Sequence, residues 1–164
     1  MDIKAKNFKL RKVREDDCRL LWKWASDSGV RGGSFSSDPI GWEEHVHWFA
    51  RKLNDPNCYI LLGVNEQGTP VGEVRFDRRN ETEAEIGVSV DRNKRGFGYG
   101  SLLIHMAVER VFKSTSIRII HAFIKTNNEK SIKVFERAGF KTLNVEMVKG
   151  NSALHYQLVK SDEN

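Results

Sequence analysis

The stretch DRNKRGFGYGSLLI, residues 91–104, sets three glycines alternating with aromatics behind a knot of basic residues, and an apolar helical run follows at once. Backbone N–H groups of consecutive loop residues can converge on a phosphate, and a helix N-terminus beneath them adds the positive end of its dipole. Gly96, Gly98 and Gly100 suit that task, because a Cβ would hold the backbone away from the anion. A GxxxxGK[ST] loop is excluded, since no Lys-Ser or Lys-Thr pair follows these glycines. The dinucleotide fingerprint GxGxxG is excluded too: the spacing here is GxGxG, and it lies mid-chain rather than before the first helix. The chemistry offered is phosphate binding by main chain.

Carboxylates among basic residues form a second group. Strand alternation places Glu83, Glu85, Gly87 and Ser89 on one face, and Glu73, Arg75 and Asp77 on one face of the preceding strand. His45 and His47 stand two apart on a predicted helix and cannot share a face as metal ligands should, so they read as solvated or locally bonded. His105, His121 and His155 show no ligand spacing, and no Ser-His-Asp or Cys-His arrangement is legible. No metal is expected.

The elements that must position these groups follow from periodicity. Residues 8–13 alternate apolar and basic side chains and predict a strand, and residues 15–25 predict a helix with acidic residues in its first turn. A Gly- and Ser-rich loop is expected over 29–39. Trp42, Val46, Phe49 and Leu53 then form the apolar stripe of a second helix, ended by Asn54-Asp55-Pro56-Asn57. Strands are predicted at 58–64, 71–77 and 83–90, a helix at 100–112, a strand at 117–124 and a helix at 128–138 closed by Gly139. Residues 140–148 and 152–159 finish as a hairpin. This order argues for a mixed α+β fold with a central, mainly antiparallel sheet flanked by helices.

Bulk properties narrow the setting. Hydrophobic residues are 39% and charged residues 30% of the 164-residue chain, ordinary for a globular protein. No apolar run approaches the roughly 20 residues of a membrane-spanning helix, and the first residues lack the apolar core of a secretory signal. Cys18 and Cys58 lie far apart with no CxxC spacing, which fits a reduced cytoplasmic setting. The net charge of +5 favours anionic partners. Lys4, Lys6, Lys9, Arg11 and Lys12 alternate with apolar residues as a half-exposed strand would, and no RNA motif or recognition helix is visible. Neither nucleic acid nor membrane is therefore expected as a partner; a homodimer stays open.

Arg95-Gly96-Phe97-Gly98-Tyr99-Gly100, reading R-x-x-G-x-G between a strand and a helix, resembles the acyl-CoA loop of the GNAT N-acetyltransferases. The preceding strand, AEIGVSV, is similar to the family strand whose splayed backbone pairs with the pantetheine arm. Asn128-x-x-Ser131-x-x-x-Phe135-x-x-x-Gly139-Phe140 resembles the family's second signature, N-x-x-(A/S)-x-x-x-(Y/F)-x-x-x-G-F. The resemblance covers almost the whole chain. It implies one acetyltransferase domain over residues 1–164, with about six or seven strands, about four helices and acetyl-CoA as co-substrate. Residues implied to hold coenzyme A are Val88, Ser89 and Val90 on the strand, Arg95, Gly96, Phe97, Gly98, Tyr99, Gly100 and Ser101 at the loop, and Asn128, Ser131 and Phe135 on the later helix. Lys94 and Arg95 are expected to serve its phosphates.

Acetyl transfer to an amine needs a neutral nucleophile, a polarised thioester carbonyl and a thiolate that gains a proton. A backbone N–H from Val88 to Val90 can polarise the carbonyl, and a carboxylate or His near the cleft can take the amine's proton. The resemblance implies Glu85 as base, with Glu73 and His155 in reserve and a rim charge holding Arg75 as the alternative role for Glu85. The family's acid is often a tyrosine on the last helix, where this chain has Phe135. Tyr156 or a water then protonates the thiolate, or it leaves unaided.

All four tryptophans, Trp22, Trp24, Trp42 and Trp48, lie in the N-terminal third. Trp42 reads as core; Trp48, off the stripe, is free to line a cleft, and Arg31 is placed to hold a phosphate. W-x-W-x-x-D-x-x-V-R, then S-F-x-x-x-P-I-x-W-E-x-H-x-x-W-F, is similar to nucleotide-sugar acetyltransferases of the pseudaminic acid pathway. That implies, as acceptor, the 4-amino group of a UDP-linked 4-amino-4,6-dideoxy sugar, with Trp22, Trp24, Arg31, Trp48, Glu73 and Arg75 around it. Relatives acting on protein N-termini or ribosomal proteins share the loop and a similar front end, and a non-catalytic coenzyme A-binding module is a further alternative.

Overall fold

Apolar residues recur along every central strand, and the computed structural model, which describes residues 7–36 and 38–162, joins the strands into one sheet. In chain order the elements are β1 (Lys9–Lys12), α1 (Cys18–Ala25), α2 (Ser28–Gly33), α3 (Trp42–Leu53), β2 (Cys58–Val64), β3 (Pro70–Arg78), β4 (Glu83–Val90), α4 (Tyr99–Ser114), β5 (Ile119–Lys125), α5 (Glu129–Arg137), β6 (Lys141–Val148) and β7 (Asn151–Val159). The seven strands run in the order β1-β2-β3-β4-β5-β7-β6. Every neighbouring pair is antiparallel except β4 and β5. The expected mixed α+β architecture stands, with five α-helices among the described residues rather than about four. No helix is long and apolar enough to cross a membrane among them.

The differences lie in the N-terminal third. The predicted helix over 15–25 opens as a 3-10 turn, Glu15–Asp17, because Asp17 is tied elsewhere. Its carboxylate accepts from the Arg11 guanidinium at 2.8 and 2.9 Å and from the Arg14 N–H at 2.7 Å. The loop expected over 29–39 contains α2, because Asp27 caps it by accepting from the Gly29 and Val30 amides. On α3 the stripe is shifted: Val46 is 36% exposed and His45, two per cent exposed, takes its place. The His45 ring donates from Nε2 to the Cys18 carbonyl at 2.8 Å, and burial pushes its pKa down, so a neutral ring does the work of an apolar one.

The sheet's faces carry separate cores. Val74 and Phe76 of β3, Ala84 and Ile86 of β4, Ile120, Ala122 and Ile124 of β5, and Tyr156 of β7 pack under α4 and α5. On the other face Cys58, Ile60 and Leu62 of β2 meet Leu21 and Trp24 of α1 and Phe49 of α3. Each fully buried aliphatic side chain contributes about 1.5–3 kcal/mol. Helices α1 and α3 pack on this second face.

Candidate active site

Strand β4 is paired with β3 from Arg78↔Ala84 to Gly72↔Val90, but with β5 only at Glu83↔Ile119, Ala84↔Ile120 and Glu85↔His121. Beyond Glu85 the two parallel strands part, and the β4 edge through Val88–Val90 has no β5 partner. A wedge opens between strands, bordered by main-chain polar groups that need partners. Close packing of β3 fixes its β4 wall: a Cβ on Gly72 would stand 2.5 Å from the Ser89 carbonyl oxygen and 2.8 Å from Leu103.

At the end of β4 the chain turns into the glycine loop. Gly96 and Gly98 both have φ of +84°, a conformation that side chains with a Cβ resist, and Gly98 is the N-cap of α4 without a side-chain cap. An α-helix turns its first N–H groups outward at that end, which gives a concave main-chain seat for an anion. Two anchors hold the loop. The Trp24 indole donates to Asp91 Oδ2 at 2.8 Å, while Asp91 donates its own N–H to the Val71 carbonyl at 2.8 Å. Arg95 donates to Asp27 Oδ1 at 2.8 Å and to the Val90 carbonyl at 3.2 Å. The hydrogen bond from Arg95 holds the Asp27 carboxyl below its usual range.

The other face of the sheet carries Glu73, Arg75 and Asp77, which lie opposite Leu62, Ile60 and Cys58 on β2 and opposite Ser89, Gly87 and Glu85 on β4. Here a cavity of about 260 Å³ opens, walled by Leu21 and Ala25 of α1, Arg31 of α2, Ile40, Glu44, His45, Trp48 and Arg51 of the α3 region, and Glu73 and Arg75. Asp77 accepts from Lys52 at 2.7 Å and from Arg75 Nε at 2.9 Å, and the Arg75 guanidinium lies over the Trp48 ring at 5.2 Å. Glu73 is thereby left alone. It is 8% exposed, and its Oε2 has no hydrogen-bond partner among the described residues. Burial pushes its pKa up, against the opposing charge of Arg75.

Further along that face, side chains far apart in sequence line up across strands. Glu83 Oε1 lies 2.7 Å from His121 Nε2, and His121 Nδ1 lies 2.8 Å from His155 Nε2. A carboxylate only accepts, so His121 donates from Nε2 and takes the His155 N–H on Nδ1. Glu146 Oε2 stands 2.6 Å from His155 Nδ1, close enough for an ion pair though misaligned for a hydrogen bond. The line ties β4, β5, β7 and β6 together, and Phe123 stacks on His155 at 4.4 Å between ring centres.

A profile of the acetyltransferase (GNAT) domain matches residues 7–141. The chain belongs to the GNAT acetyltransferase family. An uncharacterized protein of Methanocaldococcus jannaschii is 31% identical over 136 residues, 80% of this chain and 28% of that protein. A putative phosphinothricin acetyltransferase of Bacillus subtilis is 30% identical over 110 residues, 63% of this chain and 65% of its own. The chain thus aligns with only part of the length of these relatives. The spermidine N-acetyltransferase of Vibrio cholerae, solved with CoA and spermine, superposes with a TM-score of 0.86 at 15% identity, covering 94% of this chain and 96% of that one. The match marks residues 7–141 as a GNAT-type acetyltransferase domain.

Within the GNAT frame the residues singled out from sequence fall into two sets. Val88, Ser89 and Val90 line the parted edge of β4, and the run from Arg95 to Ser101 forms the loop and first turn of α4. Asn128 caps α5 by accepting from the Ser131 N–H at 3.3 Å, and Phe135 is core, edge-on to Phe140 at 5.1 Å. Trp48, Glu73 and Arg75 meet at the cavity. Three others do not serve the acceptor side as expected. Trp24 is 2% exposed and spends its N–H on Asp91, so it anchors the glycine loop. Trp22 donates to the Ile40 carbonyl at 2.9 Å and packs edge-on against Trp42, outside the cavity lining. Arg31 borders the cavity but donates to the carbonyls of Ala25, Ser36 and Asp38 and to the Ser34 hydroxyl, so it shapes its own loop rather than offering a fork to a phosphate.

The residues expected as acid and base lie away from the cavity. Tyr156 is buried in the α4–α5 core and donates its O–H to Glu136 at 2.9 Å, so its proton is turned away from the cavity face. Glu85 stands at the last β4–β5 pair with a side chain 47% exposed, 3.7 Å from Arg79 and outside the cavity lining. Arg75 is held by Asp77 rather than by Glu85. Sequence reasoning missed Asp27 and Asp91 as loop anchors. An Asp just before α2 was a legible capping signal, but the partners Arg95 and Trp24 lie 68 and 67 residues away.

Proposed function

We propose that this GNAT domain, taken as residues 1–164 and working in the cytoplasm, transfers the acetyl group of acetyl-CoA to a primary amine of a small molecule. The finer reading of the acceptor is the 4-amino group of a UDP-linked 4-amino-4,6-dideoxy sugar. One observation carries the transfer reading: the parted β4 edge leads through the 91–98 loop to an uncapped helix N-terminus built on two left-handed glycines. The bound co-substrate supplies an activated thioester. Main-chain N–H groups between Arg95 and Ser101 would hold its pyrophosphate, Val88–Val90 its acyl arm, and α5 from Asn128 to Phe135 borders it. Lys94, beside the loop, is a cation that could serve its phosphates, since Arg95 is held by Asp27.

An amine acceptor is supported by the family and by the V. cholerae neighbour named for spermidine. The nucleotide sugar is supported by the Trp48 face, suited to a sugar or base ring, and by Arg51 at the cavity, suited to a phosphate. The deciding experiment follows free thiol from acetyl-CoA with UDP-4-amino sugars and with ribosomal N-terminal peptides. Turnover with the sugars is expected. Turnover with peptides alone overturns the acceptor, and acetyl-CoA binding with no turnover on any amine favours a coenzyme A-binding module.

A further inference from the structure

We infer that Glu73 on β3, not Glu85 on β4, receives the ammonium of the acceptor and takes its proton; this rests on the transfer reading above. Glu73 lies opposite Ser89, within the part of β4 that has left β5, so it is one strand away from the edge that would carry the thioester. Glu85 lies opposite Asp77 and beside His121, on the paired side of the wedge.

The other charged groups facing the cavity explain why Glu73 is unmatched. Arg75 is drawn off by Asp77 and Trp48, and Arg31 is consumed by backbone carbonyls. His45 is held at Cys18, and its burial favours the neutral ring. Glu44 and Arg51 are exposed at the mouth of the cavity. A buried carboxylate with an unpartnered oxygen is costly unless something satisfies it, and a cation with N–H donors is the natural complement. The same burial that disfavours the lone anion makes it a better proton acceptor near neutral pH.

The proton balance closes without a dedicated acid. One N–H bond of the ammonium breaks as an O–H bond forms on Glu73. The freed nitrogen lone pair forms the C–N bond to the acetyl carbon, and the C–S bond breaks with its electron pair on sulfur. A second ammonium proton, directly or through water, neutralises the thiolate. Glu73 then returns its proton to solvent, so that ammonium plus thioester gives amide, thiol and one proton. Phe135 and Tyr156 are not required to act.

Two measurements test this on the full chain. In a carboxyl-carbon NMR titration, with Glu73→Gln assigning the signal, Glu73 is expected to titrate above the usual glutamate range. Adding propylamine should lower that midpoint by about 1 pH unit or more, as a cation beside a carboxylate does. A midpoint in the ordinary range, or one that propylamine does not move, overturns the proposal whether or not acetyl-CoA binds. In kinetics with an accepted amine, Glu73→Gln should lower kcat/KM about 100-fold and abolish the acidic limb of the pH profile, with acetyl-CoA affinity unchanged. Glu85→Gln should stay within about threefold; the reverse ranking also overturns it. Loss of acetyl-CoA binding by the unmodified chain defeats the transfer reading instead, and leaves the NMR test to decide Glu73.

Discussion

The two flanks of β4 are built of different material. Toward α4 the proposed coenzyme A seat is main chain: the parted strand edge, two glycines at φ +84° and the open end of a helix. Toward α3 the cavity is made of side chains, with Glu73 and Arg75 from β3, Trp48 from α3 and Arg31 from α2 meeting from distant points of the sequence. A main-chain seat is indifferent to most substitutions but intolerant of a Cβ at its turning points. A side-chain cavity can be re-cut residue by residue without disturbing the strand that aims the thioester. One scaffold can therefore keep its donor and change its acceptor.

Substitutions that separate the flanks put this division to the test. The largest effect is expected for Gly98→Val. A β-branched residue in the left-handed region costs about 1–3 kcal/mol in stability, and the intruding side chain should weaken acetyl-CoA about 100-fold, or about 2.7 kcal/mol, by calorimetry. Trp48→Ala comes next: it should raise KM for the acceptor about 10-fold, the range of one large lost contact, with KM for acetyl-CoA unchanged. Trp24→Phe crosses the boundary in the informative direction. It removes the hydrogen bond to Asp91 from a residue in the acceptor-side core, so it should cost about 1 kcal/mol of stability and raise KM for acetyl-CoA a few fold, leaving the acceptor's alone. A rise in acceptor KM alone would make Trp24 part of the acceptor site after all.

The smallest effect is thermodynamic. The folded pKa of Glu73 is raised, so the native state binds the proton more tightly than the unfolded chain, and stability is lost as pH climbs from the ordinary glutamate range through the folded value. Glu73→Gln should then be more stable than the parent at pH 8, by about 1 kcal/mol. That advantage should vanish at pH 4, where both chains present a neutral group. Thermal melts at the two pH values check it.

What was legible in the sequence follows the same division. The glycine loop, its strand and its helix are contiguous, so spacing alone displayed them, and strand alternation placed Glu73, Arg75 and Asp77 together. Long-range pairing was not displayed. Trp24 looked like a ring awaiting a ligand because Asp91 is 67 residues away, and Arg31 like an open fork because its acceptors Ser34, Ser36 and Asp38 are placed by the fold and not by any sequence period. His121 and His155 looked scattered until the β5–β7 register set Phe123 opposite His155 and swung the two imidazoles together. The choice between Glu85 and Glu73 required knowing where β4 leaves β5, which no periodicity encodes.

Calorimetric titration of acetyl-CoA into the unmodified chain, Trp48→Ala and Gly98→Val tests the central claim most directly. One site per chain is predicted, with a Kd in the range of roughly 1 μM–1 mM common for enzyme substrates, equal in Trp48→Ala and weakened about 100-fold in Gly98→Val. Binding that Gly98→Val leaves intact, or no binding to the unmodified chain, would contradict it.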